Sequence, residues 1–335
     1  MKKDSHILTD THGREHTYLR ISLIERCNLR CNYCMPEEGI QLSPKSHLMT
    51  YEEIYTIAKV FADHGVRKIR LTGGEPLIRK DFTTILEKLA TLDVSLTLTT
   101  NGVIIDRFID DLKKYNLNGI NLSLDSLQAE KFREITRRDN FTQVWDNLHL
   151  IVSEGFKVKV NAVLMKDVND NEIIDFIELT KDLPVSVRFI EFMPFDGNKW
   201  NIDKTVSYAE IMDKVRDHFT EDQLERLQDA PNDTSKNYKI KNYKGSFGII
   251  SSVTNPFCDS CNRIRLTANG RIKNCLFSSS ETDLLQALRA GEAIEPLIAK
   301  AMRSKFKVRG GMDTLEKLQQ PELHGKNRSM ITIGG

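Results

Sequence analysis

The six cysteines fall into two sets of three. Cys27, Cys31 and Cys34 are spaced C-x3-C-x2-C within CNLRCNYC, and Cys258, Cys261 and Cys275 are spaced C-x2-C-x13-C, with no thiol left over. A structural zinc ion takes four protein ligands, and its thiols commonly come as paired C-x2-C elbows. Three thiolates on one short loop suit three corners of a 4Fe-4S cluster and leave one iron open to a small molecule. The competing reading of the first set is a zinc ion completed by a distant histidine such as His47. For the second set it is zinc completed by His324 or an aspartate.

The other residues with chemical potential cluster in the same way. GGEP (73–76), TTNG (99–102), Ser123-Leu124-Asp125 and Phe192-Met193-Pro194 each end or follow a run that reads as a strand, as does the first cysteine loop. Those runs are 18–23, 68–72, 95–100, 119–124, 157–164 and 186–193. Amphipathic segments lie between them. The clearest, TYEEIYTIAKVFADHG, has Thr50 and Glu53 placed for a capping box, Ile54, Ile57, Ala58 and Phe61 on one face, and Gly65 as its stop. Helical patterns also cover 81–92, 106–115, 141–155 and 171–182.

This alternation predicts a parallel sheet with helices outside it. Unusual residues at the ends of many strands favour a barrel rim over the single switch point of a doubly wound sheet. The expected fold is α/β, an incomplete (βα)6 TIM-like barrel over 1–195. A smaller C-terminal α+β region over 196–335 is expected to carry a helix at 207–219, a polar loop at 230–237, a strand at 246–253, a hairpin at 263–277 turning at Asn269-Gly270, and two short helices.

One face of several strands is polar. Arg20 and Ser22 alternate with apolar residues in the first, Lys68, Arg70 and Thr72 in the second, and Lys157, Lys159 and Asn161 in the fifth. Strands covered on both sides should be apolar on both faces, so the pattern predicts a wet lumen that holds an anion. The alternative places these cations at strand ends in solvent, or in pairs with acids such as Glu191.

Composition sets the outer bounds. Of 335 residues, 40% are hydrophobic and 28% charged, and Lys plus Arg (48) nearly balances Asp plus Glu (47), for a formal charge of +1. No global field draws such a chain to nucleic acid or to an anionic membrane, so anion selectivity must be local. The N-terminal MKKDSHILTDTHGREH lacks the apolar core of a secretory signal, and no run reaches a membrane-spanning length. A reducing cytoplasm with thiols kept for metal ligation is expected rather than disulfides.

C-x3-C-x2-C with Tyr33 before its last cysteine, followed one strand later by GGEP, resembles the radical S-adenosylmethionine superfamily. LRISLIERCNLRCNYCMP, IRLTGGEPLIRKD, LTTNG, NLSLDS, KVNAV, RFIEFMPF and NPFCDSCNRIRL extend the resemblance over most of the chain. Within the superfamily it points to the GTP 3′,8-cyclase family of molybdenum cofactor biosynthesis. The resemblance implies two 4Fe-4S clusters, on Cys27, Cys31 and Cys34 and on Cys258, Cys261 and Cys275. It implies S-adenosylmethionine contacts at Tyr33, Gly74, Ser123 and Met193, and GTP contacts at Arg20, Arg70, Thr99, Lys159, Arg263, Ile264 and Arg265. Arg263 or Arg265 would also serve catalysis by helping to quench the nucleobase radical.

The implied product is (8S)-3′,8-cyclo-7,8-dihydroguanosine 5′-triphosphate, passed to cyclic pyranopterin monophosphate synthase. The implied electron donor is of flavodoxin or ferredoxin type, and the implied assembly is a homodimer. Gly334-Gly335 reads either as a frayed end or as a side-chain-free tail able to enter a narrow cavity. Two departures from the family pattern stand out: Ile24-Glu25 where Thr-Asp is expected, and Arg137-Arg138 where Gly-Arg is common. Two other readings are a two-cluster relative acting on a peptide, and a zinc-stabilised binding module without catalysis.

Overall fold

The computed structural model describes residues 5–35, 39–324 and 327–334. The six expected strands are present as β1 (Tyr18–Ser22), β2 (Lys68–Thr72), β3 (Ser95–Thr100), β4 (Ile120–Ser123), β5 (Val158–Leu164) and β6 (Ser186–Glu191). They lie side by side in chain order and every pair is parallel. Between them run α1 (Tyr51–Asp63), α2 (Phe82–Ala90), α3 (Ile109–Lys114), α4 (Ala129–Thr136), α5 (Phe141–Ser153) and α6 (Ile173–Asp182).

The local signals act as their chemistry requires. Thr50 Oγ1 accepts from Glu53 N at 3.2 Å while Glu53 Oε2 accepts from Thr50 N at 2.7 Å, so α1 begins on a complete capping box. Its apolar stripe, Ile54, Ile57, Ala58 and Phe61, is fully buried. The short α4 was not anticipated, because AEKFREIT offers only one turn-and-a-half of apolar spacing and no capping side chain.

The second half of the chain extends the same sheet at both edges. β7 (Leu224–Arg226), β8 (Lys236–Ile240) and β9 (Ser246–Ile250) form an antiparallel run whose last strand pairs parallel with β6. At the other edge β10 (Arg263–Leu266) pairs parallel with β1, and β11 (Arg271–Lys273) and β12 (Thr282–Asp283) follow antiparallel. Among the described residues this makes one twelve-stranded sheet, ordered β12-β11-β10-β1-β2-β3-β4-β5-β6-β9-β8-β7. The expected polar loop at 230–237 therefore ends inside β8, whose alternation in KNYKI is too short to declare itself.

Apolar residues of the strands, such as Leu19, Ile21, Ile69, Leu71, Val160 and Phe189, are fully buried and share one core with the helices. Alternate residues of β1 to β6 and β10, among them Arg20, Arg70, Thr99, Asn121, Asn161 and Arg188, line one cavity of about 300 Å³. A sheet whose strands line one cavity from both ends of the strand order is curled into an open barrel.

Candidate active site

The first cysteine loop leaves β1 and is stitched to its neighbours by main-chain hydrogen bonds. Gly74 N donates to Ile24 O at 2.7 Å, Glu75 N to Arg26 O at 2.8 Å, Arg30 N to Thr136 O at 2.9 Å and Asn32 N to Ile135 O at 2.9 Å. The two glycines of GGEP have a steric reason: a Cβ on Gly73 would lie 2.7 Å from Ile24 O, and one on Gly74 2.2 Å from Arg26 O. The close approach that glycine permits here is thus to the cysteine loop itself. Glu75, fully buried, accepts from Leu77 N at 3.1 Å, Thr100 Oγ1 at 2.8 Å and Asn101 N at 2.7 Å, so it ties the end of β2 to TTNG. Burial pushes its carboxyl up to about 7.

Tyr33 Oη donates to Asp125 Oδ2 at 2.8 Å, and Val163 N donates to Asp125 Oδ1 at 2.8 Å. The cysteine loop, the end of β4 and the end of β5 are thereby joined. Burial raises Asp125 to about 6, and burial followed by the Asp125 charge raises Tyr33. Cys27 Sγ accepts from Leu29 N at 3.4 Å and from Asn101 Nδ2 at 3.6 Å. Burial, then Glu75, pushes its thiol up to about 12. Proximity to Cys34, then burial, raises Cys31.

Cys258 and Cys261 lie on the loop between β9 and β10, and Cys275 follows β11. Arg14 Nη1 donates to Cys258 O at 2.8 Å, and Arg309 N donates to Cys258 Sγ at 3.5 Å. All six thiols border the same cavity. Among the described residues, no group of three or more His, Cys, Asp or Glu side chains closes on a point that would hold a metal ion. His47 is exposed and the side chain of His324 lies outside the described residues. A cubane cluster bridges its ligands across several ångströms, and three thiols arrayed on a cavity wall with N–H donors toward sulfur suit that larger group.

Between the triads the cavity wall is cationic. Register places Arg265, Arg20 and Arg70 side by side on β10, β1 and β2. Arg263 from β10 and Arg188 from β6 face the same space. The Tyr18 ring lies beneath, 5.5 Å from Arg20, 5.0 Å from Lys68 and 5.4 Å from Arg70. Burial raises its hydroxyl, but Arg70, Arg20 and Lys68 outweigh this and bring it down to about 8. Among the described residues none of these guanidiniums is in ion-pair contact with a carboxylate: Arg70 Nε meets Thr97 Oγ1 at 3.4 Å, Arg263 Nη2 meets Asn232 O at 2.6 Å, and Arg265 Nη1 meets Gly334 O, while the Asp233 charge acts on Arg188 and the Cys261 sulfur on Arg263. Arg20 Nε, Arg188 Nε, Arg263 Nη1, Thr99 Oγ1 and Asn161 Oδ1 are buried with no hydrogen-bond partner among the described residues. Burial, together with neighbouring like charge, depresses Arg70 to about 10. Glu191, the anticipated counter-ion, is spent on Val253 N, Thr254 N and Thr254 Oγ1.

Of the residues expected from sequence, Arg20, Arg70, Thr99, Arg263, Arg265, Tyr33, Gly74, Ser123, Met193 and all six cysteines border the cavity. Lys159 and Ile264 do not. Lys159 is half-buried beside the cationic group, and burial followed by Arg188, Lys68 and Arg70 lowers it to about 8. Ile264 is fully buried in the apolar core on the other face of β10. Arg188, Asn101 and Arg309 were missed. Arg188 could have been found, since it alternates with Val187 and Phe189 as Arg70 does with Ile69 and Leu71. Gly334 reaches the cavity wall with φ +85°, where a side chain would strike Thr72 Oγ1 and Ser22; Gly335 lies outside the described residues.

Residues 21–180 match the Radical SAM superfamily and residues 185–309 match Molybdenum Cofactor Synthesis C. The chain is 47% identical to "GTP 3',8-cyclase, mitochondrial" of Arabidopsis thaliana, covering 99% of this chain and 84% of the relative. It is 41% identical to "GTP 3',8-cyclase" of Desulforamulus reducens, covering 89% and 94%. It is also 47% identical to "Molybdenum cofactor biosynthesis protein 1" of Mus musculus, over 98% of this chain and 51% of that protein, so it spans about half the length of the animal relatives it matches. Streptococcus suis SuiB bound to S-adenosylmethionine has the same fold, with a TM-score of 0.62 at 18% identity over 83% of this chain and 67% of SuiB. On near-full-length identity at this level, the chain belongs to the GTP 3′,8-cyclase family of radical S-adenosylmethionine enzymes.

Proposed function

We propose that this protein converts GTP to (8S)-3′,8-cyclo-7,8-dihydroguanosine 5′-triphosphate, the first step of molybdenum cofactor biosynthesis. The observation that carries the reading is the row of guanidiniums with orphaned donors and, among the described residues, no carboxylate in ion-pair contact, set between two thiol triads in one cavity. Buried cations without acids are costly, and a triphosphate supplies what they lack, since arginine binds phosphate oxygens through paired N–H groups.

Arg20, Arg70, Arg188 and Arg263 hold the triphosphate, with Lys159 adding charge from beside the lumen. Cys27, Cys31 and Cys34 would hold a 4Fe-4S cluster, with S-adenosylmethionine placed by Tyr33, Gly74, Ser123 and Met193. When bound, that pair supplies a reducing electron and a carbon radical able to remove hydrogen from ribose C3′. On the nucleotide, C3′ then bonds to guanine C8. Cys258, Cys261 and Cys275 would hold a second cluster, which would supply iron able to bind the guanine, and the place of this triad in the cavity would keep C3′ toward the first triad. Arg263 and Arg265, adjacent to that triad, are placed to supply charge as the nucleobase radical is reduced. The buried walls exclude water from radical chemistry. A flavodoxin- or ferredoxin-type donor and a homodimeric state complete the proposal.

Anaerobically loaded protein given reductant, S-adenosylmethionine and GTP is expected to form 5′-deoxyadenosine and the cyclised nucleotide together. Cys258→Ser is expected to keep the first cluster and lose GTP turnover. Full cyclase activity in that variant would refute the role of the second triad. Cleavage of S-adenosylmethionine with GTP untouched would redirect the assignment to a peptide substrate.

A further inference from the structure

Behind the second triad, outside the cavity lining, lies a set of buried charges that the nucleotide site does not use. Lys305 follows a helix, α7 (Glu295–Arg303), and is 3% exposed. Its Nζ is within hydrogen-bond reach of three acceptors: His16 Nε2 at 2.7 Å, Arg263 O at 3.1 Å and Cys261 Sγ at 3.5 Å. Three acceptors take three N–H donors, which only an ammonium has. His16, fully buried, is fixed as the acceptor because its Nδ1 lies 2.9 Å from Leu8 O, a group that can only accept.

The local charge does not cancel. Asp10 is hydrogen-bonded to Arg14, with Arg14 Nε at 2.6 Å on Oδ2 and the Arg14 and His12 amides on Oδ1; His16 Nε2 stands 3.7 Å from the same Oδ2, beyond hydrogen-bond length. Arg14 and Asp10 neutralise one another, and among the described residues no carboxylate is in ion-pair contact with Lys305. One net positive charge is left, aimed at the Cys261 sulfur. At the first triad, among the described residues, Cys27 Sγ receives only the neutral N–H groups of Leu29 and Asn101. A buried lysine without an acid has a reason to exist where a permanent anion will sit.

We propose that Lys305, held by neutral His16, is a positioning residue for the second iron-sulfur cluster, where its ammonium offsets thiolate charge at Cys261 and favours the reduced state. This rests on the reading that the second triad holds a cluster. Net charge and hydrogen bonds to sulfur set cluster potentials, and an electron added to an already negative centre is stabilised by a fixed cation in a dry site.

The test uses the full chain loaded anaerobically with iron and sulfide, beside the same chain with Cys27, Cys31 and Cys34 changed to serine. Any cluster signal in the second chain comes from the C-terminal triad. Iron and sulfide for one cluster there support the reading of that triad, and their absence overturns that reading separately from the role of Lys305. In this background Lys305→Gln is expected to keep its iron and shift the midpoint potential, followed by electron paramagnetic resonance, to a more negative value. Lys305→Arg is expected to stay near the unmodified potential. Loss of iron from Lys305→Gln with retention in Lys305→Arg leads to the same conclusion, because charge is what separates the two. An unshifted midpoint in Lys305→Gln, or loss of iron from both variants, overturns the proposal.

Discussion

Arg137 closes α4 with φ +54° and ψ +30°, the left-handed region that disfavours any residue with a Cβ. It is one of the two places where the chain departs from the pattern its motifs suggested, and the departure falls where glycine is the natural C-cap. Its side chain is exposed, so nothing is lost by removing it except unfolded-state restriction. Arg137→Gly is therefore expected to stabilise the protein by about 0.5 kcal/mol, the strain relieved less the added chain entropy. Urea unfolding measures it, and a destabilised variant would mean that Arg137 has a partner not evident from its geometry. The other departure is accommodated: Glu25 is 2% exposed and holds Ser43 N at 2.7 Å and Ser43 Oγ at 2.9 Å. At this scale sequence was informative about thiols and strand cations, because alternation marks a facing residue whatever its partner. It marked Asn101 only as part of TTNG and was silent on Arg309; both matter by donating to sulfurs far away in the chain.

Elements explain why GGEP matters more than its composition suggests. The ends of β1 and β2 stay zipped past the sheet, with Gly74 N on Ile24 O and Glu75 N on Arg26 O, and this extension carries the first cysteine loop. Gly74 does not have a positive φ, so the constraint is space alone: a methyl group would meet the Arg26 carbonyl oxygen at 2.2 Å and its carbon at 2.5 Å. A backbone obstacle cannot rotate away. Gly74→Ala is expected to cost about 2 kcal/mol, within the range for overpacking, and to release iron from the first triad while the second keeps its own. Iron analysis with thermal unfolding checks both, and a variant of unchanged stability and iron content would show that the two strand ends separate freely. The βα alternation was legible because strand and helix carry different apolar periods, although of the six helices only α1 begins on a side-chain cap. The pairing of β10 with β1 was not, since a parallel contact between the two ends of the chain leaves no local periodicity, and so the alignment of Arg265 with Arg20 and Arg70 could only be seen in the fold.

At the scale of the whole molecule, the sheet joins the chain's beginning to its end, and a buried charge array fastens the same seam. Arg14 donates to the carbonyls of Cys258, Phe306 and Lys307 at 2.8–2.9 Å, and His16 meets Lys305 at 2.7 Å, so the segment before β1 and the segment after α7 are held by polar groups that water does not reach. Such a seam is strong only while His16 stays neutral. In the unfolded chain the imidazole titrates near 6.5; in the fold burial, and next the Lys305 charge, push it down to about 4. Above pH 6.5 neither state binds the proton and the group adds no pH dependence. Between about 6.5 and 4 the unfolded chain takes up a proton that the native state refuses, so stability falls as pH falls across that window. The slope is bounded by about 1.4 kcal/mol per pH unit, and the total is on the order of 3 kcal/mol. His16→Gln cannot titrate, and although it lowers stability at neutral pH by disturbing Lys305, it is expected to lose less on acidification between pH 6.5 and 4, the carboxylates common to both chains cancelling in the difference. Urea midpoints of the two proteins at intervals through that range measure the divergence, and parallel curves would mean that the native seam accommodates a second positive charge beside Lys305.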